Sequence, residues 1–195
     1  TQFLTDLGEV ASAQRLLATD LLKLGNDLRL LASGPNTGLR EIVLPPVEPG
    51  SSIMPGKINP SICEAANMAC VQVMGNDHAV QTACHLGQLE LNTHMPVVGE
   101  NLIRSLGILE RCCRMLGDKC IVGIKANLDV CARYFETSAG LATVLNPRLG
   151  YDRVADLVKE SLATGKTLKT LVTEKRILGD KELSELLAKA TGPSP

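Results

Sequence analysis

Apolar residues recur at helical spacing over three long stretches of this chain. Leucine, valine and alanine return every three or four positions in residues 2–33, and similar patterns run through residues 60–92 and 97–116. Gly34-Pro35 ends the first stretch, because neither residue continues a helix well. The pattern therefore predicts three helices that are long for a chain of this size.

The pattern changes after residue 117, where glycines separate much shorter segments. Residues 151–164 and 180–190 are the clearest short amphipathic helices. We therefore predict an all-α protein with two parts: a long-helix bundle segment in residues 1–117, and a small helical C-terminal domain in residues 118–195.

The second long stretch has very few charged residues, namely Glu64, Asp77 and Glu90. A helix without a polar face is normally buried on nearly all sides. Three such helices cannot cover one another completely, so we expect partner helices from further sequence or from other subunits.

A loop rich in glycine and proline lies between the first two helices and has the sequence GSSIMPGKINP, residues 50–60. It brings together two hydroxyls (Ser51 and Ser52), the ammonium group of Lys57 and the carboxamide of Asn59. Loops held by a rigid scaffold often carry function. This composition suits the binding of a small anion, although a polar surface loop without function is an equally open interpretation.

The start of the following helix supports an anion site. Asn59 can act as the N-cap, Pro60 suits the first helical position, and Ser61 with Glu64 forms a possible capping box. The helix would then direct its free N–H groups and its positive end toward the loop.

Composition excludes several functions. The 195 residues carry a net charge of −1, which gives no electrostatic support for nucleic-acid binding. We find neither a transmembrane stretch nor a signal peptide, and we expect a cytoplasmic protein. The seven cysteines lack metal-ligand spacing and are expected to be reduced, mostly core, thiols. The three histidines are weak candidates for metal ligands.

Asn26, Asp27 and Arg29 lie inside the apolar pattern of the first helix. We interpret them as a buried polar cluster that ties helices together.

The loop motif resembles the signature of the aspartase/fumarase superfamily, in which a Gly-Ser-Ser-x-Met-Pro-x-Lys-x-Asn segment is diagnostic. The resemblance continues through residues 25–35, 73–77, 87–92 and 145–151. It thus covers nearly the whole chain. It implies the helical-bundle fold of that superfamily, an active homotetramer, and active sites built from three subunits.

The resemblance also implies chemistry at named positions. Ser51 matches the general base that removes the Cβ proton of the substrate, and N–H donors around Ser51 and Ser52 would stabilise the resulting aci-carboxylate. Lys57 and Asn59 match the contacts to the substrate carboxylate. Glu64 matches the acid that pairs with a histidine from another segment, a role compatible with the capping box.

Other signature segments of the superfamily have no match here, so the chain resembles the C-terminal half of such an enzyme and alone would lack part of the active site. The resemblance implies a dicarboxylate substrate and no cofactor or metal ion. Gln88 and the pair Asn146-Pro147 favour an aspartate ammonia-lyase. A class II fumarate hydratase and a non-catalytic fragment that keeps the oligomerisation helices remain the alternatives.

Overall fold

Helices account for most of the structure, a computed structural model that describes residues 2–47, 58–138 and 140–191, without the side chains of residues 180 and 189–191. The predicted all-α class is confirmed. The helices are α1 (Thr5–Leu31), α2 (Ser61–Cys84), α3 (Met95–Lys119), α4 (Leu128–Thr137), α5 (Leu141–Leu149), α6 (Tyr151–Thr164), α7 (Leu168–Glu174) and α8 (Asp180–Thr191). Two short strands, β1 (Ile42–Val43) and β2 (Lys125–Ala126), form an antiparallel pair.

The chain divides into two compact units, Thr1–Asn127 and Leu128–Pro195. The first unit extends beyond the predicted boundary at residue 117 because the segment after α3 is tied to the bundle. β2 pairs with β1, and the N–H of Asn127 donates to the carbonyl of Glu41 at 2.8 Å. Strand pairing between residues more than 80 positions apart leaves no local signal in the sequence.

The long helices α1 and α2 of the first unit pack against each other in antiparallel orientation. Near one end of α1, Gly8 lies beside Gln81 of α2, whereas Gly25 near the other end lies beside Asn67. α1 presents glycine and alanine to its neighbours, since its buried residues are Gly8, Ala11, Ala18, Gly25 and Leu28. Small side chains let helix backbones approach closely, so this face sets the α1–α2 contact.

α2 is shorter than predicted. It ends at Cys84 rather than at Asn92, and the backbone of Gln88 pairs with that of Leu91 in a tight turn. The helical spacing of apolar residues in the sequence extends into this turn, which is why the sequence predicts a longer helix. Leu86, Leu89 and Leu91 are accordingly exposed.

Buried polar groups lie in the middle of the bundle. Nε of Arg15 lies 3.0 Å from Oδ2 of Asp77, and Nδ2 of Asn76 donates to Oγ of Ser105 at 3.0 Å. These contacts join α1 to α2 and α2 to α3. Breaking a hydrogen bond between buried polar groups leaves an unsatisfied partner, which costs about 1–3 kcal/mol.

The second unit has its own apolar core, formed by α5, α6, α7 and α8. α6 begins and ends at the predicted residues, 151 and 164. The Oγ1 of Thr167 caps α7 by accepting from the N–H of Thr170 at 3.1 Å. The core contains Leu141, Leu145, Val154, Leu157, Leu168, Leu171, Val172, Leu178 and Leu183.

The structure describes all seven cysteines and joins none of them in a disulfide. Four of the seven, Cys63, Cys70, Cys112 and Cys120, are buried between α2 and the end of α3. The Sγ atoms of Cys63 and Cys120 lie 3.7 Å apart. Burial, with Cys120 beside it, raises the pKa of Cys63 from 9.0 to about 12. Burial, with Cys112 beside it, raises the pKa of Cys70 from 9.0 to about 12.

The free energy of unfolding is therefore expected to fall as the pH rises from about 9 toward 12. In that range the unfolded chain loses thiol protons that the folded chain retains, whereas below about pH 9 both states hold them. Urea unfolding at pH 8 and pH 10.5 measures the fall. It should be smaller in Cys70→Ala than in the matched control Cys113→Ala, whose exposed thiol can be removed while the buried thiols stay in place. An equal fall in both variants would contradict this account.

No helix in the described part of the chain is long and apolar enough to cross a membrane.

Candidate functional site

The start of α2 differs from the prediction in its cap. Pro60 occupies the N-cap position and α2 begins at Ser61, without a side-chain cap hydrogen bond. The predicted Asn59 N-cap and the Ser61–Glu64 capping box are therefore wrong. A proline cannot donate a backbone hydrogen bond, but its carbonyl still accepts from the N–H of Glu64 at 3.1 Å.

The Glu64 carboxylate points toward α1 instead. Its Oε1 lies 3.4 Å from Nη2 of Arg29, and the two side chains are 44% and 41% exposed. An ion pair with this exposure contributes little to stability. The main effect of the ion pair is to orient the Glu64 carboxylate toward Arg29 of α1.

A second polar contact lies next to this pair. Nη1 of Arg29 is 3.4 Å from Oδ1 of Asn26, which also accepts from Nδ2 of Asn67 at 2.8 Å. Asn26 and Arg29 thus tie α1 to α2, as predicted, but they are exposed rather than buried. Asp27 does not join them and pairs with Lys23 on α1 itself.

A cavity of about 450 Å³ opens in front of these groups. α1, the turn after it, β1 and the start of α2 form its walls. Among the described residues, the charged and polar side chains that line it are Arg29, Ser33, Arg40, Asn59 and Glu64. The cavity therefore brings together two of the predicted site residues, Asn59 and Glu64, with two guanidinium groups. A volume of this size accommodates a small organic anion.

Three predicted site residues, Ser51, Ser52 and Lys57, lie outside the described residues. Their predicted roles stay predictions. Ile58 follows Lys57 in the sequence and lines the cavity. The last residues of the signature segment, 58–60, therefore form part of the cavity wall.

Sequence reasoning assigned no site role to Arg40 or Ser33, and it gave Arg29 a structural role. Arg29 and Glu64 are 35 positions apart and meet only through helix packing. Arg40 has a positive φ of 53°, which the sequence does not indicate for an arginine.

A larger cavity of about 660 Å³ lies at the opposite end of α1 and α2, near Gly8 and Gln81. Neither Asn59 nor Glu64, the two predicted site residues that the structure describes, lines it. No three His, Cys, Asp or Glu side chains in the described ranges converge as metal ligands.

Two family models match the chain. The model described as "Lyase" matches residues 2–75. The model described as "Fumarase C C-terminus" matches residues 141–190. The first match includes the signature segment and the start of α2, and the second covers most of the second unit.

Named relatives are similar over most of this chain. Aspartate ammonia-lyase of Corynebacterium glutamicum is 48% identical over 178 residues, which are 91% of this chain and 34% of that protein. Fumarate hydratase class II of Thermosynechococcus vestitus is 46% identical over 165 residues, which are 85% of this chain and 35% of that protein. The chain therefore spans about a third of the length of these relatives.

A solved structure shows the same fold. The fumarate lyase:delta crystallin from Brucella melitensis bound to cobalt is 42% identical, with a TM-score of 0.90. The comparison covers 96% of this chain and 41% of that protein.

Proposed function

This chain belongs to the aspartase/fumarase superfamily, and we propose that it is the C-terminal part of a fumarate-forming lyase, namely an aspartate ammonia-lyase. The reaction is the reversible elimination of ammonia from L-aspartate. The names of the relatives support a lyase, and the cavity at the start of α2 supports the proposal that the substrate binds there.

The observation that carries the proposal is the convergence of Asn59, Glu64 and two arginines on one cavity beside the signature segment. A dicarboxylate needs cations for its charge and an amide for its orientation. Guanidinium groups bind carboxylates through two parallel hydrogen bonds, and they remain charged at every relevant pH. The described lining therefore suits this substrate class.

In the proposed reaction, Ser51 acts as the general base. Its ionised hydroxyl accepts the Cβ proton of the substrate, and the electron pair moves onto the adjacent carboxylate to give an aci-carboxylate. The Cα–Cβ double bond then forms as the Cα–N bond breaks and ammonia leaves. N–H donors near Ser51 and Ser52 stabilise the developing charge, since preorganised donors act most strongly where charge appears in the transition state.

Lys57 and Asn59 are proposed to bind the substrate carboxylate, and Glu64 to pair with a histidine from another segment of the assembled enzyme. The Arg29 contact is compatible with that role. Arg29 lies 3.4 Å from one carboxylate oxygen, and the Glu64 side chain is 44% exposed, so a second partner can reach the carboxylate.

If the chain is part of an aspartate ammonia-lyase, we also propose that the complete enzyme is a homotetramer with shared active sites. We propose a cytoplasmic location for it. Apolar side chains on α2 and α3 support partner helices: Met68 and Val71 are 68% and 59% exposed, and Ile103 and Leu106 are 75% and 61% exposed. Measuring the mass of the complete enzyme by light scattering tests the tetramer, and a monomeric mass would refute it.

A class II fumarate hydratase is the second candidate, favoured by the similar relative from Thermosynechococcus vestitus. Dehydration of L-malate and deamination of L-aspartate share the carbanion intermediate, and they differ in whether water or ammonia leaves from Cα. Ser51, Lys57 and Asn59 serve both reactions equally, so these residues do not distinguish them.

The test offers L-aspartate and L-malate separately to the complete enzyme that carries this segment, and follows fumarate by its ultraviolet absorbance. We expect fumarate from aspartate, with a kcat/KM at least about tenfold above that for malate, which corresponds to about 1.4 kcal/mol of transition-state discrimination. Fumarate from malate alone would replace the ammonia-lyase with the hydratase. Fumarate from neither substrate would reject the lyase proposal.

A further inference from the structure

Arg40 adopts a backbone conformation that arginine rarely takes. Its φ of 53° lies in the left-handed region, where a Cβ atom is crowded by the backbone and glycine is favoured. Such strain persists only where the surrounding structure imposes it, and it is concentrated at functional sites.

The surrounding backbone holds this residue on both sides. The N–H of Arg40 donates to the carbonyl of Ser33 at 2.9 Å, and the N–H of Glu41 donates to the carbonyl of Leu31 at 2.9 Å. Before it, the N–H of Leu39 donates to Oγ of Ser33 at 3.1 Å. Three consecutive N–H groups are thus fixed to the end of α1, and the pairing of β1 with β2 follows directly.

This conformation places Arg40 in the wall of the 450 Å³ cavity, together with Arg29, Asn59 and Glu64. The charges in the described lining are two guanidinium groups and one carboxylate, which leaves an excess of one positive charge. Arg29 is engaged by Glu64 and Asn26, each at 3.4 Å. In the described part of the chain, by contrast, no ion pair or side-chain hydrogen bond involves the guanidinium of Arg40.

We propose that Arg40 is a substrate-binding residue that contacts one carboxylate of the dicarboxylate and so sets the preference for dicarboxylates over monocarboxylates. The inference rests on the proposed function and deepens it. The backbone hydrogen bonds of Leu39, Arg40 and Glu41 fix where this side chain leaves the chain, so less backbone freedom is lost when the carboxylate binds. In this proposal, the need to place the Arg40 side chain in the cavity explains both the backbone strain at Arg40 and the binding of the substrate carboxylate.

The decisive variant is Arg40→Gly in the complete enzyme. Glycine accepts a φ of 53° without strain, so the variant removes the guanidinium while relaxing the backbone. We expect KM to rise about 10- to 100-fold, because a hydrogen bond to a charged group is worth about 1.5–3 kcal/mol. We expect kcat to change much less, and Tm to stay equal or to rise. A purely structural role predicts no rise in KM from a variant that folds as well as the parent.

Arg176→Gly is a matched control. Arg176 has a φ of 51°, almost the same as that of Arg40, but it is an exposed residue of the second unit and does not line the cavity. This variant relaxes the same kind of backbone strain and should leave KM within about twofold of the parent value. Arg40→Lys keeps the charge but loses the planar fork, and should raise KM to an intermediate value.

Binding of the unreactive dicarboxylate succinate and the monocarboxylate propionate completes the test, measured by calorimetry on the complete enzyme and its variants. Arg40→Gly should weaken succinate binding at least about tenfold and reduce the preference for succinate over propionate. Unchanged succinate binding with an unchanged KM would overturn the assignment of Arg40. These titrations need no turnover, so they test Arg40 even if the parent enzyme forms no fumarate, an outcome that would reject the proposed reaction separately.

Discussion

Replacing Ser51 with alanine in the complete enzyme is expected to lower kcat by at least about 10²-fold and to leave KM within about threefold. A general base acts when the proton moves, so its loss affects the transition state far more than the bound ground state. Steady-state kinetics of fumarate formation from L-aspartate measure both constants. Because the hydroxyl is small and the change removes one oxygen atom, Tm should stay within a few degrees of the parent value.

Lys57→Ala provides the contrasting variant. Removing a cation that binds the substrate carboxylate should raise KM strongly and lower kcat as well, whereas Ser51→Ala should act on kcat alone. If Ser51→Ala kept more than about a tenth of the parent turnover, another group would have to be the base, since a lost general base costs at least about 10²-fold. Equal effects of both variants on KM would also contradict the division of roles.

The long helices were predictable because their signal is local. Apolar residues repeat with the helical period in α1, α2 and α3, and the Gly34-Pro35 pair marks where the first helix must stop. Their exact ends were less predictable. The leucines after Cys84 continue the apolar pattern, but the helix has ended and the backbone of Gln88 pairs with that of Leu91 in a tight turn.

The chemistry of the cavity was only partly readable from the sequence. Asn59 and Glu64 belong to a recognisable segment, whereas Arg29 was interpreted as structural because it interrupts an apolar pattern. Its contact with Glu64 depends on the antiparallel register of α1 and α2, which the small buried face of α1 determines. Register between helices is a tertiary property and is not encoded in either helix alone.

Arg40 was not predictable for a different reason. Arginine itself does not indicate a positive φ, because glycine and asparagine are the usual residues in that conformation. The conformation arises from hydrogen bonds to Ser33 and Leu31 at the end of α1. Some residues adopt a backbone conformation that conflicts with their own conformational preference. Sequence patterns do not predict such residues, and they are often functional.

The second unit allows a sharp test of packing. Leu145 lies in its core and is 0% exposed, in contact with side chains of the neighbouring helices. Leu145→Ala removes three buried carbon atoms and leaves a cavity, so we expect the free energy of unfolding to fall by about 2–5 kcal/mol. Chemical denaturation with a spectroscopic readout of helix content measures this change, and the unit's small size makes a loss of this magnitude a large share of its stability.

Leu162→Ala is the matched control for that measurement. Leu162 lies on α6 of the same unit and is 80% exposed, so the same chemical change should alter the free energy of unfolding by no more than about 0.5 kcal/mol. A similar loss in both variants would mean that Leu162 is covered by a partner in the assembled enzyme, and a small loss in both would mean that the core around Leu145 can collapse into the space. Only a large difference between the two leucines agrees with a packed core that α5 shares with α6, α7 and α8.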